Sequence, residues 1–360
     1  AESPENLLSV CLHASPAHRE ASRMPVKYGV MGTANIAKKV ITAIGKAEGS
    51  ELAAVASRSA ERCEEWCKEI GLPASVKRYA TYEDLLADES VQVIYIPLPT
   101  SMHAEWVPKA AQAGKHVLCE KPVGISTEEV QAMTKACKDA NVQFMDGVMW
   151  MHHVRTAEML SVIQSGVLGT VKRVNASFSF CGDEEFHNNN IRVKKGLDSL
   201  GCVGDLGWYT VRAALWAFQA DPVSVSAFSH ATSAEGVITS GSATLFFGDG
   251  RFACMDFGFD TNWRQMLEVA GSQNSLRCSD FVLADADEKS TYTIGTRYTT
   301  EEKQGGACNQ ESRMIERMST IVASGELEDE WPLWAVRTQR VCDAIMASAL
   351  SGTQERIVPV

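Results

Sequence analysis

The tripeptide Glu120-Lys121-Pro122, whose side chains could take part in catalysis, follows the apolar segment His116-Val117-Leu118-Cys119. It lies downstream of a turn of small residues, Gly29-Val30-Met31-Gly32-Thr33-Ala34-Asn35-Ile36-Ala37. In open parallel sheets, ligands bind beyond the carboxyl ends of the strands. A lysine held at such an end by a rigid proline therefore points at whatever the turn has bound.

The turn has the register of a dinucleotide-binding turn, with Gly32 at the bend and alanine at the two later glycine positions, Ala34 and Ala37. Small residues after a strand also occur for packing alone, but this turn lies between a first strand and a first helix. Backbone amides at that helix start would hold a pyrophosphate with help from the helix dipole. The predicted contacts are Gly32, Thr33, Ala34, Asn35 and Ile36.

The residues after the second predicted strand indicate which cofactor binds. An acidic residue there would accept hydrogen bonds from the ribose 2′-hydroxyl of NAD. This chain has Ser57, Arg58 and Arg62 instead. Because hydroxyl and guanidinium groups suit a phosphate, the sequence predicts NADP(H).

A stiff loop, Pro97-Leu98-Pro99-Thr100-Ser101-Met102-His103, follows the predicted strand 91–96 at the same sheet edge. Its two prolines restrict the backbone, so we expect Pro97, Leu98 and Thr100 to meet the cofactor. His103 is either a further cofactor contact or a partly buried histidine satisfied within its own loop. With Lys121 and the later Asp205-Leu206-Gly207-Trp208-Tyr209, these patterns favour a nicotinamide-dependent oxidoreductase.

Composition excludes several other classes of protein. The net charge of −11 argues against a nucleic-acid or anionic-membrane partner, and no apolar run is long enough to span a membrane. The eleven cysteines are an odd number without a C-x-x-C pair, which favours reduced thiols in the cytoplasm over disulfides or a metal site. Residues 1–25 lack the pattern of a secretory signal. They fit a disordered extension, part of an organellar transit sequence or a cloning remnant equally well.

Strands and helices alternate over residues 26–147, which predicts an α/β Rossmann domain with a doubly wound parallel sheet. Residues 148–360 are predicted to form an α+β domain with a large, mostly antiparallel sheet. Predicted strands in the first part are 26–31, 51–56, 76–80, 91–96, 116–119 and 143–145, and predicted helices are 35–46, 60–70, 82–87, 102–113 and 127–140. Predicted strands in the second part are 171–180, 223–230, 236–247, 251–259, 265–271 and 291–295, and predicted helices are 159–164, 205–218 and 334–350. The last helix is expected to pack back on the first domain.

Taken together, these motifs resemble the glucose–fructose oxidoreductase/inositol dehydrogenase (Gfo/Idh/MocA) superfamily over residues 26–355. The branch that looks most similar contains dimeric dihydrodiol dehydrogenases, NADP-dependent xylose dehydrogenases and plant oxidoreductases of unassigned substrate. That branch carries tyrosine where inositol dehydrogenases carry histidine, and Tyr209 stands at that position. Asn190-Ile191-Arg192 and Gly201-Cys202-Val203-Gly204-Asp205 look like the plant members in particular.

The resemblance implies hydride transfer between nicotinamide C4 and a carbon that bears oxygen. Lys121 matches the catalytic lysine of the family, and Tyr209 matches its acid/base tyrosine. Asp205, one helical turn before Tyr209, is expected to orient Lys121, and Glu120 is expected to contact the cofactor. A nearby ammonium group would favour the phenolate form of the tyrosine.

One segment departs from the family pattern. Sugar-handling members usually carry an aromatic-x-arginine sequence near the domain junction, where this chain has Met149-Trp150-Met151-His152-His153-Val154-Arg155. Trp150 is expected at the cofactor. The residues expected to line the substrate pocket are His152, His153, Arg192, Tyr209 and Trp263. No cluster at ligand spacing predicts a metal.

The leading hypothesis is an NADP-dependent oxidoreductase of a sugar, cyclitol or vicinal diol, or of a related carbonyl. An imine or enone reductase of specialised metabolism is the alternative within the same scaffold, and a non-catalytic NADP-binding regulator is the alternative outside enzymes. A homodimer or higher assembly is expected through the second-domain sheet. Alternating apolar residues in 237–247 and at Phe252, Met255 and Phe257 would supply the exposed face.

Overall fold

The computed structural model describes residues 24–285 and 289–357, so nearly all of the expected N-terminal extension lies outside it. The first sheet is fully parallel, with strand order β3-β2-β1-β4-β5-β6. Its strands are β1 Val26–Met31, β2 Ser50–Ala56, β3 Lys77–Tyr79, β4 Val93–Ile96, β5 His116–Cys119 and β6 Phe144–Asp146. Its helices are α1 Asn35–Lys46, α2 Ala60–Glu69, α3 Tyr82–Ala87, α4 His103–Gln112 and α5 Thr127–Asp139. This order is that of dinucleotide-binding sheets, with the switch point between β1 and β4.

Short side chains at the helix starts explain why these helices begin where they do. Ser59, Thr81 and Ser126 each accept a hydrogen bond from a backbone amide in the first turn of α2, α3 and α5. Such caps satisfy amides that have no partner inside the helix. The start of α1 is different, because Ala34 has no side chain that can cap it.

The second sheet has nine strands in the order β14-β13-β12-β11-β7-β10-β9-β8-β15. Only the pair β7–β10 is parallel among the described strands of this sheet. The strands are β7 Val171–Cys181, β8 Ser224–Thr232, β9 Ile238–Phe247, β10 Arg251–Gly258, β11 Asp260–Gly271, β12 Ser275–Cys278, β13 Thr291–Gly295, β14 Thr300–Gln304 and β15 Glu355–Arg356. The helices are α6 Val154–Gln164, α7 Glu184–Asn189, α8 Trp208–Phe218, α9 Gln310–Ser324 and α10 Glu330–Ser351. Both predicted sheet types are confirmed.

The inner face of the second sheet packs against helices, and this corrects one expectation. Phe247, Met255 and Phe257, which we expected to supply an exposed patch, are all buried. The residues on the other face of these strands point away from the helices. Phe228 is 60% exposed and Met266 is 55% exposed, and they lie in one cross-strand row with Ser177, Ser242 and Asp256.

Two C-terminal helices contact the first sheet and its helices. The α9 helix, which the sequence interpretation missed, packs on α1, β1 and β2. The Tyr28 hydroxyl in β1 donates to the Ile315 carbonyl at 3.1 Å and lies 2.8 Å from the Ser319 hydroxyl. In α10, the Asp343 carboxylate accepts hydrogen bonds from the backbone amide and hydroxyl of Thr127 at the start of α5. The domain boundary at residue 147 stays a prediction.

Candidate active site

Lys121 stands at the carboxyl end of β5 and reaches across to Asp205. Its Nζ donates to the Asp205 Oδ1 at 2.6 Å and to the Asp205 carbonyl at 2.8 Å. The Lys121 side chain is 10% exposed and the Asp205 side chain 8%. The structure therefore brings together two of the three residues expected to be catalytic, one from each sheet region.

A π-helical turn over Val203–Gly207 carries Asp205 directly before α8. The turn approaches the loop after β5 closely because residue 204 is glycine. A Cβ atom at Gly204 would lie 2.7 Å from the Leu200 Cβ and 3.0 Å from the Pro122 Cγ. Single π-helical turns often occur at functional sites, and here the turn positions a carboxylate against the lysine.

The Asp205 carboxylate has a cation on each oxygen. Besides Lys121, the Arg192 Nε lies 2.8 Å from the Asp205 Oδ2. Burial raises the pKa of Asp205, but Arg192 and Lys121 outweigh burial and hold that pKa well below the usual range. Asp205 is thus a fixed anion that holds Lys121 in place.

Tyr209 follows on the first turn of α8, and Lys121 lies over its ring. The Lys121 Nζ is 4.8 Å from the ring centre, whereas the Tyr209 hydroxyl lies 3.6 Å from the Met149 Sδ. Burial, with smaller contributions from Glu120 and Asp205, raises the pKa of Tyr209 well above its usual value. Burial thus outweighs the positive charges that favour the phenolate, and Tyr209 keeps its proton in this state of the protein.

Glu120 is fixed by a residue that the sequence interpretation missed. The Tyr95 hydroxyl donates to the Glu120 Oε1 at 2.6 Å, and the Lys121 amide donates to the Oε2 at 3.2 Å. A Cβ atom at Gly147 would lie 3.0 Å from the Glu120 Oε1, so a larger residue there would press on this carboxylate. Burial raises the pKa of Glu120, while Tyr95 and Lys121 oppose that change.

The predicted pyrophosphate turn is open at its helix start. Gly32 has a φ of 107°, and a Cβ there would lie 2.9 Å from the Leu98 Cδ2. Thr33 and Ala34 are half-buried, and Asn35 and Ile36 are exposed. Because α1 has neither a side-chain cap nor an acidic residue in its first turn, its amides remain available to an anion.

The predicted phosphate-selecting residues lie beside this turn. Ser57 is buried at the end of β2, and Arg58 and Arg62 are exposed. Neither arginine forms an ion pair among residues 24–285 and 289–357. Burial raises the pKa of Tyr82, and the two arginines lower it, so both guanidinium groups lie near its hydroxyl.

His103 holds the proline loop against the segment after Pro122. Its Nδ1 lies 3.0 Å from the Val123 carbonyl, and its Nε2 lies 2.9 Å from the Leu98 carbonyl. The ring is buried, which lowers its pKa. These contacts favour the locally satisfied histidine of the two alternatives. Pro97, Leu98 and Thr100 are buried in the same loop.

Residues 149–155, which differ from the family pattern, pack into the protein. Trp150 is fully buried, with edge contacts to Trp216 and Phe281 at 5.6 Å each. His152 stacks on Trp331 with ring centres 4.5 Å apart, and the His153 Nδ1 accepts from the Arg155 amide. Burial lowers the pKa of His152 to about 3 and of His153 to about 4. In the described part of the chain, no hydrogen bond joins either histidine to the Lys121–Asp205 pair.

Arg155 is held away from any ligand by the second sheet. Its side chain is buried, and its guanidinium group bonds to the Asp280 carboxylate at 2.7 Å and to the Thr291 carbonyl at 3.0 Å. Trp263, in contrast, is 50% exposed and packs on Phe178, which itself contacts the Tyr209 ring. Of the predicted substrate residues, Tyr209 and Arg192 contact Lys121 or Asp205, and Trp263 is linked to them through Phe178.

Neither a metal-binding cluster nor a membrane-spanning helix occurs in the described part of the chain. Across 24–285 and 289–357, no group of three or more histidine, cysteine, aspartate or glutamate side chains is arranged to hold a metal ion. Over those ranges, none of the helices combines the length and the apolar content that crossing a membrane requires.

Comparison with known proteins identifies the family. Residues 26–148 match the oxidoreductase family with an NAD-binding Rossmann fold, and residues 156–277 match the GFO/IDH/MocA C-terminal domain. D-xylose 1-dehydrogenase (NADP(+)) 2 of Haloferax volcanii is 34% identical over 327 residues, which cover 90% of this chain and 98% of that protein. Trans-1,2-dihydrobenzene-1,2-diol dehydrogenase of Mus musculus is 32% identical over 44% of this chain and 47% of that protein.

A solved structure agrees over most of the chain. A 3-ketoreductase from Actinomadura kijaniata, in complex with NADP and TDP-benzene, superposes with a TM-score of 0.83. It is 27% identical, and the match covers 90% of this chain and 98% of that one. The chain therefore belongs to the Gfo/Idh/MocA family of oxidoreductases with an NAD-binding Rossmann fold, as its motifs predicted.

Proposed function

We propose that this protein transfers hydride between NADP(H) and the carbonyl or hydroxyl carbon of a sugar, cyclitol or vicinal diol. The observation that carries the proposal is the buried contact of Lys121 with Asp205 over the ring of Tyr209, at the carboxyl end of β5. This is the sheet edge at which doubly wound folds bind their ligands. The related xylose and diol dehydrogenases act on substrates of this class.

The residues divide the proton chemistry between them. The bound nicotinamide supplies or accepts the hydride. Tyr209, protonated at neutral pH, donates its hydroxyl proton to the substrate oxygen during reduction. Lys121 has three N–H donors, of which two bond to Asp205, so the third is free for the substrate oxygen or the cofactor ribose. Asp205 keeps this donor aimed, and Glu120 is placed to meet the cofactor.

The cofactor preference follows from charge. Arg58 and Arg62 are exposed beside the Gly32 turn without a carboxylate partner of their own among the described residues, so they are free to bind a 2′-phosphate. Ser57 adds a hydroxyl at the end of β2. The amides of Thr33, Ala34, Asn35 and Ile36 would hold the pyrophosphate. Pro97, Leu98, Thr100 and Trp150 stay predicted cofactor contacts.

Substrate recognition is assigned to Arg192 and Trp263. A half-exposed indole beside Phe178 offers an apolar face to a sugar or diol ring, and Arg192 offers guanidinium donors beside the reacting centre. His152 and His153 are less suited to this role, since packing occupies their rings.

A substrate panel tests the function against its alternatives. We would follow NADPH in both directions with D-xylose, myo-inositol and trans-1,2-cyclohexanediol for oxidation, and with butane-2,3-dione, an enone and 1-pyrroline for reduction. Turnover of the diols or the dione supports the proposal. Turnover of only the cyclic imine or only the enone would favour the reductase of specialised metabolism. Cofactor binding without any turnover would favour a regulator, although binding alone needs neither Lys121 nor Tyr209.

We also propose a homodimer formed through the outer face of the second sheet, in a reducing cytoplasm. Phe228 and Met266, at the two ends of the outward row, are apolar side chains that a monomer would expose to water. The ten cysteines within the described ranges are all free thiols, which suits a reducing compartment.

A further inference from the structure

Asp198 is a buried carboxylate beside the reaction site with an unusual lack of partners. Its residue is 4% exposed, and its Oδ1 has no hydrogen-bond donor among the described residues. The Leu200 backbone nearby lowers the pKa of this carboxyl group. Buried carboxylates without donors are costly, so each one needs an explanation.

The segment that carries Asp198 is fastened on both sides. The Leu197 carbonyl accepts a hydrogen bond from the Ser101 amide of the proline loop, residues 97–103, at 3.2 Å. The Val193 carbonyl accepts one from the Ser233 hydroxyl at 2.9 Å. Gly201 has a φ of 54°, and a Cβ there would lie 2.3 Å from the Ile238 carbonyl oxygen. These contacts hold the backbone on both sides of Asp198, and the Asp198 side chain is buried.

The charged residues of the candidate active site influence the charge of Asp198. Asp205 on the π-helical turn repels its charge, while Arg192 on its own segment and Lys121 after β5 attract it. The neutral thiol of Cys202 is also close enough to sense Asp198. Lys121, Arg192 and Asp205 together carry one surplus positive charge. An ionised Asp198 cancels that surplus, and a neutral Asp198 leaves it.

We propose that Asp198 is a positioning residue that sets the net charge of the Lys121–Asp205–Arg192 cluster by holding or releasing one proton. The inference rests on the proposed function. In reduction, hydride passes from NADPH to the substrate carbon, the Tyr209 proton passes to the substrate oxygen, and water later restores that proton. Negative charge grows on the Tyr209 oxygen in this step. The surplus positive charge stabilises it when Asp198 is neutral, so neutral Asp198 speeds reduction.

The balance between the two states falls near neutral pH. Burial, followed by Asp205, raises the pKa of Asp198 to about 7, although Arg192 and Lys121 oppose the change. Reduction is therefore expected to slow as pH rises through 7. The same titration affects stability. Because the folded pKa lies above the unfolded one, the stability contributed by the neutral carboxyl group is present in acid and lost as pH rises through the folded pKa.

The test compares Asp198→Asn with wild type and with the control Asp249→Asn, which removes the same charge in the exposed β9–β10 turn. With butane-2,3-dione and saturating NADPH, the kcat of wild type and of the control should fall about tenfold between pH 6 and pH 8.5. A tenfold fall is expected if ionised Asp198 raises the activation barrier by about 1.4 kcal/mol. Asp198→Asn should stay at the acid-side rate, with KM changed less than about twofold. In melting experiments without substrate, the Tm of Asp198→Asn should fall less between pH 5 and pH 8 than the Tm of wild type.

Each measurement can overturn the inference. A pH profile of Asp198→Asn that falls like wild type would show that this carboxyl group does not govern the reaction. Equal losses of Tm in the variant and wild type would show that it does not titrate in this range. Absence of turnover in wild type would instead overturn the proposed function, and the melting comparison would still decide whether Asp198 titrates.

Discussion

The Lys121 Nζ lies over the face of the Tyr209 ring, 4.8 Å from its centre, and not beside its hydroxyl group. A cation in this place is attracted by the ring and restricts its motion, yet it makes no bond to the phenol oxygen. The nearest polar partner of that oxygen is the Met149 sulfur at 3.6 Å. In the proposed mechanism, the tyrosine would therefore reach the substrate as a proton donor, and Lys121 would act on it through the electric field.

Removal of the Tyr209 hydroxyl should stop the chemical step without affecting cofactor binding. In Tyr209→Phe the ring still packs on Phe178 and beneath Lys121, so the NADPH Kd should change little. We expect kcat to fall by about 10²–10⁴-fold, the usual contribution of a positioned acid. Lys121→Ala should cost at least as much, and the double variant should be little worse than the poorer single one, since the pair acts as a unit. Turnover of Tyr209→Phe within about threefold of wild type, at saturating cofactor, would assign proton transfer to another group.

Cofactor preference should depend on Arg58. NADPH should bind at least about tenfold more tightly than NADH, a difference of about 1.4 kcal/mol, and Arg58→Ala should remove most of this gap. Fluorescence titration of both cofactors gives the ratio. Lys68→Ala is the control, because Lys68 lies on α2, the helix that follows Arg58, and pairs with Glu64. Equal affinity of the wild-type protein for the two cofactors would contradict the prediction.

A methyl group at Gly204 should displace Asp205 from Lys121. In Gly204→Ala the new Cβ would meet both Leu200 and Pro122 below 3.1 Å, so the π-helical turn has to move. We expect at least about a tenfold loss of kcat/KM, because shifts near 1 Å at reacting groups have this effect. Gly45→Ala in α1 is the control, since no atom lies within 4 Å of its new Cβ. That change should leave activity intact and raise stability by up to about 1 kcal/mol. Wild-type kcat/KM in Gly204→Ala would show that the turn tolerates the methyl group.

Charges on the outer sheet face should break the proposed dimer. Light scattering of the wild type should give about twice the chain mass of 39.2 kDa at micromolar concentration. Phe228→Glu with Met266→Glu places carboxylates on the exposed row and should shift the protein to monomers, while its Tm and NADPH binding are kept. The same pair of changes at Tyr298 and Leu350, which are exposed outside this row, should leave the mass unchanged. A wild-type mass near that of one chain would refute the assembly.

Features set by neighbouring residues could be predicted from the sequence, whereas contacts between distant residues could not. The bounds of α1 and β5 agree with the prediction, because a small-residue turn and a run of β-branched and apolar residues act over a few positions. The cap of α5 by Ser126 was readable in the same way. The Tyr95–Glu120 bond was not, because two strands have to pair before a hydroxyl meets a carboxylate 25 residues away.

Some misses had signals that were overlooked. In α9, Asn309 caps the helix, and buried Met314, Met318 and Ile321 recur at helical spacing. The adjacent histidines 152 and 153 gave no such signal. Their stacking and capping roles depend on Trp331 and on the start of α6, which the pattern alone does not bring near them.

The hydrogen bonds from Tyr28 to Ile315 and Ser319 can form only late in synthesis of the chain. A chain leaves the ribosome N-terminus first, so β1 emerges long before α9. Until then the phenol of the first strand lacks its partners, and α1 lacks the neighbour whose Glu311 pairs with Lys39. A nascent nucleotide-binding half therefore exposes an uncovered flank through most of translation. Truncation before residue 310 should leave this flank uncovered permanently and make the first half more prone to aggregation.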